Sequence, residues 1–329
     1  MEEYKKYIKN IILILIIVLS LYLLYKLFFR SSDNYNNIPT NKIGIVTTVK
    51  NPHQLNDWIT YHLKIGFNKL YIVFDDENED TNYIINNDNI QIFKNDNNWK
   101  KELTQLPNMK YYVNDTKEVM SRQIANFENA RNYAKKDNID WLLHIDADEL
   151  FYDENDDLNT IFDNKYDIIN FQNLEMIPDR DNYDNCFKEG VNFKINPRIF
   201  NAYSNGKSAV KVNSGATIAG VHDFVGGTKT FSNVGKILHY PSCNFNEYIN
   251  KYKILGKFDD KWWNSVKIPF KFHTESRDLI TECSSRELNG EVNACENSVK
   301  EYYNKSNVLN DSYNKNDIKI IEFVKNQLL

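Results

Sequence analysis

The 329-residue sequence has no surplus of positive charge: 40 Lys and Arg stand against 45 Asp and Glu, a net charge of -5. Without a positive field there is no counterion release to hold a polyanion, so nucleic acid is excluded as the expected partner. The four cysteines, Cys186, Cys243, Cys283 and Cys295, lack the paired spacing of a metal knuckle. No internal repeat runs from residue 41 to 329 and no second linker divides two compositions. A repeat array is thereby excluded, and the body reads as one domain with elaborations. Apolar residues are not scarce: 42% are hydrophobic and 14% aromatic, with 21 Tyr and 19 Phe. That content excludes global disorder, and the length supplies a core no staple-dependent miniprotein has.

One long hydrophobic run is present. Residues 11–29 read IILILIIVLSLYLLYKLFF, with a single charge at Lys26. At 1.5 Å per residue the run spans roughly 28 Å, close to a bilayer core. It is long for a signal-peptide core and no small-x-small cleavage site follows, which favours an uncleaved single-pass anchor. Lys5, Lys6 and Lys9 precede it and Lys26 and Arg30 close it, a small bias that puts the N-terminus in the cytoplasm. The organisation expected is a cytoplasmic tail (1–10), an anchor (11–29), a turn-rich stalk (30–41) and a body (42–329) facing the ER or Golgi lumen. In a lumen the cysteines form two disulfides among three possible pairings, with Cys283 and Cys295 near enough to close a short loop; in a reducing compartment they are four thiols. Three Asn-x-Ser/Thr acceptors, at Asn114, Asn304 and Asn310, would be usable in a lumen.

The body opens with alternating patterns. Residues 43–49 (IGIVTTV) are apolar and β-branched, and Asn51-Pro52 then stands as N-cap and first turn of a helix whose stripe is Leu55, Trp58, Ile59, His62, Leu63 and Ile65, stopped by Gly66. Strand patterns follow at 70–74 and 90–93 with a helix-like stretch between them. A long helix pattern over 116–136 carries Met120, Ile124, Phe127, Ala130 and Ala134, and a strand at 141–145 runs into Asp146-Ala147-Asp148-Glu149. This β-α-β order predicts an α/β fold with a mostly parallel sheet flanked by helices. Ligands of such sheets sit beyond the carboxyl ends of the strands, here at 47–51, 75–80 and 146–149.

Asp146 and Asp148 flank a small Ala, so both carboxylates can enter one crevice as the chain leaves the strand. Hard oxygens of this kind suit Mn²⁺ or Mg²⁺, which keep positions open for phosphate. The motifs around the pair resemble those of a GT-A-fold glycosyltransferase in the group joining family 2 and family 92 (DUF23-like) sequences. They are Asn51-Pro52 with Leu55-x-x-Trp58, His62 and Gly66-Phe67; Tyr71 to Asp76 with Asp80; Ala130-Arg131-Asn132 before Asp140-Trp141 and the D-x-D-E; Gly206 to Lys211 followed by His222; and Leu238-His239-Tyr240 with Tyr248 and Lys251. Pro52 and Lys211-Val212 depart from the family pattern, which has Glu and Arg-Pro there.

The resemblance implies a Rossmann-like GT-A body with a donor half at about 42–150 and an acceptor half at about 151–329. It implies a nucleotide-sugar donor and a glycan or glycoprotein acceptor. Thr47 and Asp75 would approach the nucleoside, Arg131 the base or diphosphate, and Asp146 with Asp148 the metal and ribose. Lys207 and Lys211 would neutralise diphosphate. Asp148 and Glu149 are the catalytic candidates, and Asp146, Asp148 and His239 the metal ligands, with His222 in reserve. Glu149 reads equally as a helix cap, and Glu175, Asp179 and Asp223 remain candidate bases on later segments. His62, on an apolar stripe, reads first as a core histidine; His144 reads either as tuning Asp146 or as packing under a helix. Trp262-Trp263 opens a polar, helically patterned tail and is a candidate floor for an acceptor sugar. A sugar nucleotidyltransferase would need a Gly-rich loop with Arg and Lys after the first strand, which is lacking, and a non-catalytic tethered binding protein is the other rival.

Overall fold

The computed structural model describes residues 41–107, 118–153, 157–261, 267–287 and 292–329. The apolar run at 11–29, the stalk, the Asn114 acceptor and Trp262-Trp263 lie outside the described residues. Among the described residues, no helix is long and apolar enough to cross a membrane.

Strand β1 (Ile43–Val49) feeds helix α1 (Leu55–Lys64), which returns the chain to β2 (Lys69–Phe74). Asn51 and Gln54 both adopt left-handed backbone conformations, φ 46° and 55°, so the helix starts at Leu55 instead of just after Pro52. Gly66, φ 106°, ends it. Turns, and no helix, occupy 75–89 before β3 (Ile90–Lys94), so the helix-like stretch expected there is absent. Helices α2 (Asn97–Leu103) and α3 (Val119–Lys136) then lead to β4 (Trp141–His144). β3, β2, β1 and β4 lie side by side and parallel, with Ile45 opposite Leu70 and Leu143.

Beyond β4 the parallel pattern ends, so the sheet is mixed and the expectation of a mostly parallel one is corrected. Only residues 145–148 separate β4 from β5 (Glu149–Tyr152), too few for the crossover of a dozen or more residues that a parallel neighbour needs. After α4 (Leu158–Ile161) come β6 (Ile168–Met176), α5 (Cys186–Glu189), β7 (Asn192–Lys194) and β8 (Lys207–Lys211). β8 enters between β4 and β6 and is antiparallel to both. The hairpin β9 (Thr217–Gly220) and β10 (Asp223–Val225) precedes β11 (Lys229–His239), which pairs with β5 and β6. Helices α6 (Phe245–Leu255), α7 (Lys271–Glu287) and α8 (Val292–Asn307), strand β12 (Ile318–Ile320) and α9 (Phe323–Leu328) complete the chain.

Alternation along β1 divides its side chains between two cores. Ile43, Ile45 and Val49 join Trp58 and Ile59 of α1 on one face, and Val46 joins Ile124, Phe127 and Ala130 of α3 on the other. A third cluster, around Tyr248, Phe272 and Tyr303, holds α6, α7 and α8 together. Disulfides join Cys186 to Cys243 and Cys283 to Cys295, so the alternative of four free thiols does not apply to this structure.

Candidate active site

The carboxyl ends of β1, β2 and β4 open into a cleft of about 1480 Å³, whose far wall is built by the loop after β11 and by α6. Asp146 and Asp148 both line it. The turn that presents them is closed twice: the Glu149 N–H donates to the Asp146 carbonyl at 3.1 Å, and the Asp146 N–H donates to Glu149 Oε2 at 2.8 Å. The Tyr240 N–H also donates to the Asp148 carbonyl at 2.8 Å, tying the turn to β11. Two carboxylates are thus carried on a fixed backbone at the mouth of the sheet.

Each aspartate has its own cation. Lys207 Nζ lies 2.6 Å from Asp146 Oδ2, and Gln123 Nε2 donates to Asp146 Oδ1 at 2.7 Å. Lys251 Nζ lies 3.0 Å from Asp148 Oδ2, with His239 Nε2 3.7 Å from the same oxygen. Burial by itself would raise both carboxyls, but Lys207 holds Asp146 below its ordinary value, and Lys251 with His239 holds Asp148 well below the usual carboxylate range. Burial pushes Glu149 up, against the pull of Lys207 3.4 Å away.

The other expected site residues separate into those that reach the cleft and those that do not. Asp75 reaches it, with both oxygens clamped at 2.7 Å by Arg122 of α3. His222 and His239 line it; His222 Nδ1 meets the Gly206 carbonyl at 2.7 Å, and burial together with Lys207 lowers its pKa to about 3. Glu149 does not line it: fully buried, it accepts from Tyr203 and from the Asp146 N–H, so it shapes the turn and offers no free base to the cleft. Thr47 is fully buried on the α1 side of the sheet, and its neighbour Thr48, one step out of phase, lines the cleft and accepts from Asn126 at 3.1 Å. Arg131 sits nine residues along α3 from Arg122, about 13 Å down the helix at 1.5 Å per residue. Its guanidinium is buried and donates to the carbonyls of Lys211, Val212, Ser214 and Ala216. Lys211 stands at the opposite end of β8 from Lys207, donating to the Asn164 carbonyl at 2.6 Å and lying outside the cleft.

Of the candidate bases, Glu175 is fully buried, paired with Lys194 at 3.0 Å, and accepts from the N–H groups of Asn201 and Ala202. Asp179 bonds Tyr183, and Asp223 lines the cleft in an ion pair with Lys229 at 2.7 Å. His144 packs against Phe127, 5.3 Å between rings, and burial with Lys207 lowers its pKa to about 4. His62 is a core residue: its Nδ1–H donates to the Trp58 carbonyl at 2.8 Å and its Nε2 accepts from the Phe151 N–H at 3.2 Å.

Sequence reasoning missed Arg122, Gln123 and Tyr203, and quoted Lys251 without a role. Helix direction would have found the first two, because in a β-α-β unit the helix begins at the end of the sheet where the cleft lies. Tyr203 comes from a loop whose placement depends on Gly206: at φ 69°, a Cβ there would stand 2.0 Å from the Phe171 carbonyl oxygen, so only glycine turns the chain into β8. The Tyr203 ring lies between His222 and His239, 4.6 and 4.9 Å away by centroids.

A divalent cation can be tested against this geometry. Among the described residues, no three His, Cys, Asp or Glu side chains form a ready metal cluster. Asp148 and His239 do converge, and the buried His239 Nδ1 has no hydrogen-bond partner in the structure. Three carboxylates (Asp146, Asp148, Glu149) face two ammonium groups (Lys207, Lys251), so the centre holds one excess negative charge. Mg²⁺ and Mn²⁺ are commonly held by one or two carboxylates, with phosphate and water completing the shell, and the residues here of that chemistry are Asp146, Asp148 and His239.

No family model matches the chain. It is 28% identical, over 170 aligned residues, to a protein of Arabidopsis thaliana named as glycosyltransferase-like. The match covers 42% of this chain and 38% of the relative, so the chain spans well under half of the protein it resembles.

Proposed function

We propose that the protein is a metal-dependent glycosyltransferase with a GT-A-like donor site, moving a sugar from a nucleotide diphosphate sugar to a glycan or glycoprotein acceptor. The observation that carries this reading is the turn that presents Asp146 and Asp148 at the carboxyl end of the parallel part of a mixed sheet, in a cleft large enough for donor and acceptor. The partial similarity to a glycosyltransferase-like protein supports it. In this reading residues up to about 150 hold the donor and residues from about 151 build the acceptor wall.

Asp148 and His239, with Asp146, would hold Mn²⁺ or Mg²⁺; His222 is the reserve ligand. The ion would supply neutralising charge to the departing diphosphate. The chain's own residues do the rest. Glu149 and Tyr203 hold the turn, Lys207 keeps Asp146 ionised, and the Arg122–Asp75 pair with Thr48 marks the end of the cleft where the nucleoside would lie. Ion pairing with Lys207 and Lys251 keeps Asp146 and Asp148 charged across the neutral range. Two disulfides support a body exposed to an oxidising compartment, with residues 11–29 as its single-pass anchor and the lumen of the secretory pathway as its place.

The test is a thermal-shift panel of UDP- and GDP-sugars in Mn²⁺, followed by transfer and donor-hydrolysis assays on the hit. Asp148→Ala should lower both activities about 10²-fold or more while the melting temperature stays within a few degrees. Full activity in Asp148→Ala, or no donor stabilising the wild type, would overturn the reading.

A further inference from the structure

The two lysines that neutralise the acidic pair are not equivalent. Lys207 is 1% exposed and held by two carboxylates, Asp146 at 2.6 Å and Glu149 at 3.4 Å. It is outside the cleft lining, beneath the turn. Moving it would strand Glu149, which is fully buried, without a counter-ion. Lys251 is 36% exposed, lines the cleft, and makes one ion pair, with Asp148, backed by the Pro241 carbonyl at 3.1 Å. Asp148 is itself 37% exposed and has His239 beside it, so it can lose Lys251 without being left in a dry interior.

We propose that Lys251 is the cation that receives the diphosphate of the donor: it exchanges Asp148 for a phosphate oxygen, while Lys207 stays with Asp146 as a fixed counter-ion. The proposal rests on the nucleotide-sugar reading and assigns to Lys251 the phosphate contact that the sequence had suggested for Lys207 and Lys211. Its physical basis is the difference in freedom between the two ammonium groups. A long side chain hinged on α6 and lining the cleft can carry its ammonium from one oxygen to another across it. The exchange also balances charge. Phosphate takes the ammonium, and the carboxylate it leaves is open to the divalent ion that accompanies a diphosphate. One ligand therefore creates the site for the other, a coupling that must run in both directions.

The experiment uses the full chain and two probes, inorganic pyrophosphate in the presence of Mn²⁺ and Mn²⁺ alone, titrated calorimetrically against wild type and Lys251→Met. The expected result is a tenfold to hundredfold loss of pyrophosphate affinity, the range for one charge-assisted contact, with no loss of Mn²⁺ binding. A merely structural lysine would weaken both probes together or neither, and either outcome overturns the proposal. Lys251→Gln serves the same comparison should the methionine variant melt early. Wild type that binds neither pyrophosphate nor any nucleoside diphosphate overturns the glycosyltransferase reading itself. Wild type that binds them, with Lys251→Met binding equally well, overturns the lysine exchange alone.

Discussion

The stretch from 41 to 153 and the stretch from 157 to 329 reach stability by different routes. The first has no cysteine and four parallel strands, and both cores it enters also take side chains from the second, such as Phe171 and Ile237 on one face and Val210 and Phe224 on the other. The second pairs β12 with β7 and β8 with β6 antiparallel and holds both disulfides, while strands far apart in sequence pair in both, β1 with β4 in the first and β11 with β6 in the second. Non-local pairing carries a larger loop-closure cost, which cross-links offset by constraining the unfolded chain. The candidate site lies on the seam. Its acids Asp146 and Asp148 come from the first stretch, and their partners Lys207, His239 and Lys251 come from the second.

The contrast is broken most forcefully at its cross-links. The Cys186–Cys243 bridge closes 57 residues and Cys283–Cys295 closes 12. Chain entropy assigns about 4 kcal/mol to the first and about 3 kcal/mol to the second. Urea unfolding of Cys186→Ser/Cys243→Ser and of Cys283→Ser/Cys295→Ser should show losses in that order. Donor binding should suffer in the first variant alone, because only that bridge lines the cleft. Equal losses of binding in both would mean that the second stretch acts as one rigid unit.

A smaller effect belongs to the first stretch. His62 is buried and neutral, its pKa lowered by burial to about 3 even though the Trp58 carbonyl pulls the other way. Below pH 6.5 the unfolded chain takes up a proton that the folded one refuses, so stability falls with falling pH. The loss is about 1.4 kcal/mol per unit until the folded pKa is reached. His144, His222 and His273, also buried with lowered pKa values, add slopes of the same sign, so the check is a difference: between pH 6.5 and 4.5 His62→Gln should flatten the wild-type slope by about 1.4 kcal/mol per unit. An unchanged slope would place the acid sensitivity elsewhere. The smallest effect is expected at Lys211→Ala, within about 0.5 kcal/mol of wild type and with unaltered donor affinity, since the lysine is remote from the cleft. A drop in affinity there would reopen its suggested role at the diphosphate.

Where local period sets structure, the sequence was informative. The apolar runs of β1, β2 and β4, the stripe of α3 and the position of Asp146-x-Asp148 all followed from spacing. Where an expected site residue does not line the cleft, the cause is geometric. Thr48 lines the cleft and Thr47 does not, a difference that pattern alone leaves open on a strand buried on both faces. Arg122 reaches the cleft where Arg131 does not, and Lys211 lies away from Lys207, because proximity in sequence hides the 13 Å or so that nine helical residues, or four residues of strand, put between their ends. The carboxyl stretch was least legible. Strands of three to five residues such as β7, β8 and β12 alternate too briefly to announce themselves, and their partners lie far along the chain.

The helix α1 bonds to β5 in an unusual way. Trp58 Nε1–H donates to the Glu149 carbonyl at 2.7 Å, Tyr61 OH donates to the Phe151 carbonyl at 2.7 Å, and His62 Nε2 accepts from the Phe151 N–H. Three side chains do along one margin of β5 what a neighbouring strand would do, while β11 occupies the other. A strand margin satisfied in this manner offers no template to a foreign chain, so the segment that follows the two aspartates is shielded from intermolecular strand addition and the aggregation it seeds. The same arrangement makes the aromatic face of an early helix a gauge for the register of that segment, and a substitution there would be felt as misaligned acids before it was felt as a looser core.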